Sequence, residues 1–229
     1  MKRRKFLSIG IFLFIVFWHH FLWLSNVYSQ THSNSGVQPL FELDGQSIHD
    51  LIPASIQPLI LSREIEQFLL KLESTPPDWT QLRHSDITQQ SERIFQYNRQ
   101  RDKARAGKNP ILEKPVAFLW AGILRQYLPE YEGFSLALGP ELTMTSWGTI
   151  RFKPIDLPDY LVAIPSLALR KELLVRQKQG ERIEIVVICI GALVPDESLI
   201  YGFPHDGHQK GMILPVVSIQ NILYILKPS

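Results

Sequence analysis

The residues best suited to chemistry fall together between Tyr201 and His208, in the run Tyr-Gly-Phe-Pro-His-Asp-Gly-His. His205, Asp206 and His208 are metal-ligand types within four positions, and a bound zinc ion there would activate water for a metal-assisted hydrolase. A catalytic zinc needs about three protein ligands. His49, His84, Asp196 and Glu197 are the further candidates, if the fold brings one of them near. Gly, Pro and Asp in such a run are equally the residues of an ordinary turn. Gly202 and Gly207 have the spacing of a phosphate loop, but His208 and Gln209 stand where lysine and a hydroxyl belong, so that reading is rejected.

Two other groups suggest binding rather than catalysis. Arg93, Arg99, Arg101, Lys103, Arg105 and Lys108 form a basic run that would suit anionic lipid headgroups, or would simply be the solvated end of a helix whose dipole favours cations. Trp147 falls on the polar side of an alternating segment. With Tyr131 and Tyr201 it would line a groove for stacking on a sugar or base, or for a peptide anchor; alternatively Trp147 packs beneath a helix. Beyond residue 30 the chain has no Gly-x-Ser-x-Gly, His-Glu-x-x-His, Cys-x-x-Cys or Ser-x-x-Lys. A dispersed site would leave no local signature, so an enzyme is not excluded, although a non-enzymatic role is favoured. No cofactor can be named.

The elements that must position these residues follow from periodicity. Ser62 starts a helix with Ile65, Phe68, Leu69 and Leu72 on one face, stopped by Ser74-Thr75-Pro76-Pro77. Asp86 and Gln89 form a capping-box pattern for a second helix that runs to Gly107, with Ile87, Ile94 and Phe95, and Tyr97 or Asn98, on its apolar side. Val116–Tyr127 is a strand bent at Gly122, and Gly133–Leu138 is another. Leu142–Phe152 alternates, with Leu142, Met144, Ile150 and Phe152 facing opposite to Trp147. Ser166 caps a helix ending near Gly180, after which Arg182–Val194 is a central strand and Val216–Leu226 the last.

Three strands, a helix and two strands is the element order of the OB-fold, a small five-stranded barrel, so an α+β chain with an OB-like β domain is expected; another mixed α+β sheet is the alternative. On such a barrel the ligand surface includes the loops Leu128–Glu132 and Pro195–Pro215, which hold Tyr131, Tyr201 and His205.

The N-terminus sets the compartment. Lys2, Arg3, Arg4 and Lys5 precede Phe6–Trp18, which carries no charge, and the apolar run resumes at Phe21–Leu24 after His19 and His20. This is a signal peptide cleaved after Val27-Tyr28-Ser29, or a retained helix spanning the membrane over residues 6–24. Either way the basic residues stay in the cytoplasm and the rest lies outside, tethered to the cell membrane or released into a periplasm-like compartment. Arg3-Arg4-Lys5-Phe6-Leu7 also resembles a bacterial twin-arginine signal, which implies export of an already folded domain; Lys2 and Ser8 depart from that pattern.

Four of the 24 Lys/Arg and none of the 22 Asp/Glu fall in residues 1–29, leaving 20 basic against 22 acidic residues in the remainder. An almost neutral exported domain is not a general polyanion binder, and nucleic acid is not an expected partner. The single cysteine, Cys189, sits in an apolar run and cannot form an intramolecular disulfide. The expected organisation is residues 1–29 as signal or anchor, 30–40 as a flexible linker, 41–108 as a helical segment packed on the barrel, and 109–229 as the β domain. The expected function is a membrane-tethered exported binding module with a protein partner at the membrane.

Overall fold

A computed structural model describes residues 35–43, 45–105, 110–204 and 211–227. The expected span over residues 6–24, the start of the linker, and His205, Asp206, His208 and Lys108 lie outside the described residues. Among the described residues no helix is long and apolar enough to cross a membrane.

The described elements run, in order, β1 (Val37–Glu42), β2 (Gln57–Pro58), α1 (Ser62–Glu73), α2 (Trp79–Leu82) and α3 (Ile87–Arg105). Then come β3 (Val116–Leu128), β4 (Gly133–Gly139), β5 (Thr143–Thr145), β6 (Gly148–Ile150), β7 (Lys153–Ile155) and β8 (Val162–Ile164). The chain ends with α4 (Leu167–Lys178), β9 (Glu184–Leu193), β10 (Leu199–Gly202) and β11 (Met212–Leu226). The fold is mixed α+β around a closed barrel of six strands. Around the ring the order is β1-β8-β4-β3-β9-β11, closed by parallel pairing of β1 with β11.

The barrel therefore has one strand more than the five expected, and its membership differs. The two strands missed are β1 and β8. β1 begins inside the stretch read as linker, and its Leu40 is buried between neighbours. β8 has only three residues, too few to show a period, and Pro165 ends it. Tyr224 fastens the closure: its buried hydroxyl donates to the Gly36 carbonyl at 2.7 Å, at the start of β1.

The segment Leu142–Phe152 is not one strand. β5 and β6 form a hairpin across Ser146-Trp147, with Thr145 opposite Gly148. Gly148 has φ +132°, and a Cβ there would stand 2.6 Å from the Gly211 carbonyl oxygen, so glycine is required. The turn inverts the expected alternation: Ile150 and Phe152 are buried while Leu142 and Met144 are exposed. β6 and β10 flank the first residues of β11 as a small side sheet.

The bend in β3 also falls elsewhere than expected. Gly122 pairs regularly with Leu138 and Ile185, and the register shifts between Leu124 and Tyr127. At Gly122 the missing side chain makes room, since a Cβ would come 2.7 Å from Ile185 Cγ1. β9 is central as its unbroken apolar run predicts, paired with β3 on one side and β11 on the other.

Helix ends follow local chemistry. α1 buries Ile65, Phe68, Leu69 and Leu72 as their spacing requires. Its first turn is held by Glu64, whose carboxylate accepts from the Ile60 and Leu61 amides at 3.0 and 2.9 Å. Ser62, expected as the cap, instead donates its hydroxyl to the Met144 carbonyl. Asp86 caps α3 by accepting from the Gln89 amide at 3.0 Å, and Ser166 caps α4 through the Leu169 amide.

Candidate functional site

The face that α3 turns inward is polar. Tyr97, Asn98, Arg101, Asp102 and Arg105 recur at the spacing of one helical stripe; Arg105 is its only fully buried residue, and all five are at least partly covered. Ile87 and Phe95, expected on the packed side, are 80% and 54% exposed. This inverts the usual rule for a surface helix. The seat must supply hydrogen-bonding partners instead of apolar area.

Glu73 is the central partner. It ends α1 on the same stripe as Ile65 and Leu72, and its side chain is 2% exposed. Its carboxylate takes Arg101 at 2.7 Å through one oxygen and Arg105 through the other. Arg105 also bonds Asp102 and donates to the Leu199 carbonyl at 3.3 Å. Arg101 donates to the carbonyls of Glu73 and Thr75 and lies 5.0 Å from the centre of the Tyr97 ring. Burial opposes the Arg101 charge, but Tyr97 and Glu73 outweigh it, so its proton is held more tightly than usual. The charges of Glu73 and Asp102 balance those of Arg101 and Arg105, as a buried group of ions requires.

Tyr201 joins this cluster from β10. It is 1% exposed, and its ring meets that of Tyr97 edge-on at 5.1 Å. Its backbone is clasped by Asn98, which accepts from the Tyr201 amide at 2.8 Å and donates to its carbonyl at 2.9 Å. Burial raises the phenol pKa of both tyrosines. Among the described residues the hydroxyls of Tyr97, Tyr201 and Ser198 and the Arg105 Nε–H have no hydrogen-bond partner.

An aromatic group adjoins the cluster. Trp79 of α2 rests against Gly211, where any Cβ would overlap the indole, and stands 6.2 Å from Tyr201 and 5.6 Å from Phe203. Its Nε1 donates to the Trp147 carbonyl at 2.7 Å. Trp147, at the β5–β6 turn, is 5% exposed and belongs to the core. Two of the three aromatic residues read as a groove, Trp147 and Tyr201, thus share a neighbourhood around Trp79, but both are buried. Tyr131 is exposed in the turn between β3 and β4. The register places that turn beyond the pairing of Ile123 with Glu184, at the other end of β11 from β6 and β10.

His205, Asp206 and His208 lie outside the described residues; of the further ligands proposed for them, Asp196 and Glu197 are exposed and the two histidines are engaged separately. His49 Nε2 is 2.9 Å from Glu64, and His84 Nδ1 accepts from the Asp86 amide. Among the described residues no three His, Cys, Asp or Glu side chains stand together as metal ligands. The basic run divides: Arg101 and Arg105 turn inward to Glu73, while Arg99 and Lys103 remain exposed.

Glu73, Trp79 and the clasp by Asn98 were not singled out from sequence. Glu73 did leave a signal, since a glutamate on the buried stripe of α1 demands a cation. Comparison with protein-family models, curated proteins and solved structures finds no match for this chain.

Proposed function

We propose that the chain is a membrane-tethered, exported interaction module without catalytic activity, and that the outward side of α3 is its partner-binding face. The observation that carries this reading is the inverted seating of α3. Its polar stripe is consumed inside the protein, while Phe95, Arg99 and Lys103 are left exposed on the other side. The Arg99 guanidinium lies 5.7 Å from the centre of the Phe95 ring, a cation on an aromatic platform. Phenylalanine and arginine in contact are common anchors of protein interfaces, and the local excess of cations fits an acidic partner surface. This face replaces the groove of Trp147, Tyr131 and Tyr201, because two of those three are in the core. The tether is residues 6–24, which hold the domain on the non-cytoplasmic side.

The test is a crosslinked pull-down of tagged full-length protein from its native membranes, beside the variant Phe95→Ala/Arg99→Ala. A stoichiometric partner captured by the wild type and lost from the folded variant is expected. Equal capture by both would remove α3 as the binding face. Full release of the wild type from membranes by alkaline carbonate would remove the retained anchor.

A further inference from the structure

We propose that α3 is a removable cover over the free edge of β10, and that this edge is a docking line for an extended peptide. Among the described residues β10 pairs along one side only, with β11. The backbone groups of Leu199 and Tyr201 point to its other side. A bare strand edge with such groups recruits another strand unless something blocks it. Here the block is made of side chains. Asn98 returns both hydrogen bonds of Tyr201, at 2.8 and 2.9 Å, and Arg105 takes the Leu199 carbonyl at 3.3 Å. A carboxamide is the chemical group of the peptide bond, so Asn98 reproduces the two-bond exchange that one residue makes in an antiparallel ladder. The edge is therefore already occupied by a mimic of the ligand it would take, and strand addition is the recognition mode that matches it. Alternate side chains of the incoming strand would lie beside Ile200, which is half-buried and on the face opposite Tyr201.

The cover is held by polar contacts, chief among them the ion pairs of Arg101 and Arg105 with Glu73, more than by apolar burial. α1 is fixed by four buried apolar side chains, whereas the only fully buried side chain that α3 contributes is Arg105. Regions held by few buried apolar contacts open without global unfolding. The cover also goes beyond the partner face proposed above: it concerns the underside of α3, and purified protein alone decides it.

Native-state hydrogen exchange on the purified full-length protein provides the test, with a soluble peptide of alternating threonine and valine, lysine at each end, as the probe. The amides of α3 and of Tyr201 are expected to open together, at least ~10-fold more often than those of β9 and β11. Excess probe should then protect Tyr201 while α3 exchanges faster, and Asn98→Ala should bind the probe at least ~10-fold more tightly than the wild type. Exchange of α3 at the rate of the barrel core overturns the cover. Equal probe binding by wild type and variant, or binding by neither, overturns the docking line. Should Asn98→Ala not fold, the wild-type exchange with and without probe decides both points.

Discussion

Glu73 is the residue on which the seating of α3 depends. Two arginines are brought into the protein against one buried carboxylate, and removing that carboxylate leaves cationic charge without compensation. Breaking a buried pair from one side costs about 3–5 kcal/mol. Glu73→Ala should lose that much in urea denaturation, while Phe95→Ala, at an exposed position, should stay within about 0.5 kcal/mol of the wild type. A loss under 1 kcal/mol for Glu73→Ala would mean that the cluster relaxes into solvent. Cys189 is the opposite case, a polar atom made inert by its surroundings. Burial pushes its thiol up to about 12, so thiolate is scarce at neutral pH. Its reaction with a disulfide reagent at pH 8 should follow the rate of unfolding, and fast stoichiometric labelling of folded protein would contradict the packing of β9.

At the scale of elements, α1 and β9 were legible because their patterns agree with the burial they achieve, and α4 because Ser166 caps it and Gly180 follows its end. The misreadings have physical causes too. At α1 the boundary was read correctly but the cap was assigned to Ser62, when Glu64 reaches back to two amides that no serine at that position could serve. In α3 Ile94 and Tyr97 are partly covered as read, but Ile87 and Phe95 are exposed; a glutamate on a neighbouring helix makes arginine the better inward residue. Trp147 was displaced from its expected face by a two-residue turn at Ser146-Trp147, which the continuous alternation of threonines concealed. Glu64 gives a test by pH. Burial acts to raise its pKa, but hydrogen bonds from Leu61, His49 and Ile60 prevail and lower it. A carboxylate with a depressed folded pKa stabilises the protein above its unfolded value, and the gain fades as pH falls through the folded value. Glu64→Gln should therefore melt below the wild type at neutral pH, with the gap closing below about pH 4. A gap that persists unchanged at pH 3 would show that the carboxylate charge is not what holds this turn.

For the whole molecule, closure is the property that local sequence least revealed. β3, β4, β9 and β11 are long enough to show themselves, but they leave an open sheet. The ring is completed by a six-residue strand that follows a polar stretch of sequence and a three-residue strand between prolines, both defined by their neighbours. Closure removes the exposed edges of β8 and β11. A chain beginning at Leu43 should lose cooperative unfolding and associate. Tyr224→Phe, which removes only the bond to Gly36, should cost about 1 kcal/mol. A shortened chain that melted like the parent would show that β1 is dispensable. The same closure directs attention to α3, since the barrel core is filled with side chains and the exposed helix carries its cations and Phe95 toward solvent.

The most direct measurement is site-specific photocrosslinking of the full-length protein in its native membranes. A photoreactive residue would replace Phe95 on α3 or, as a control, the exposed Val175 on α4. An adduct of one defined mass from position 95, absent from position 175, is the predicted result. Adducts of the same pattern from both positions, or none from position 95 in well-recovered protein, would contradict α3 as the working face.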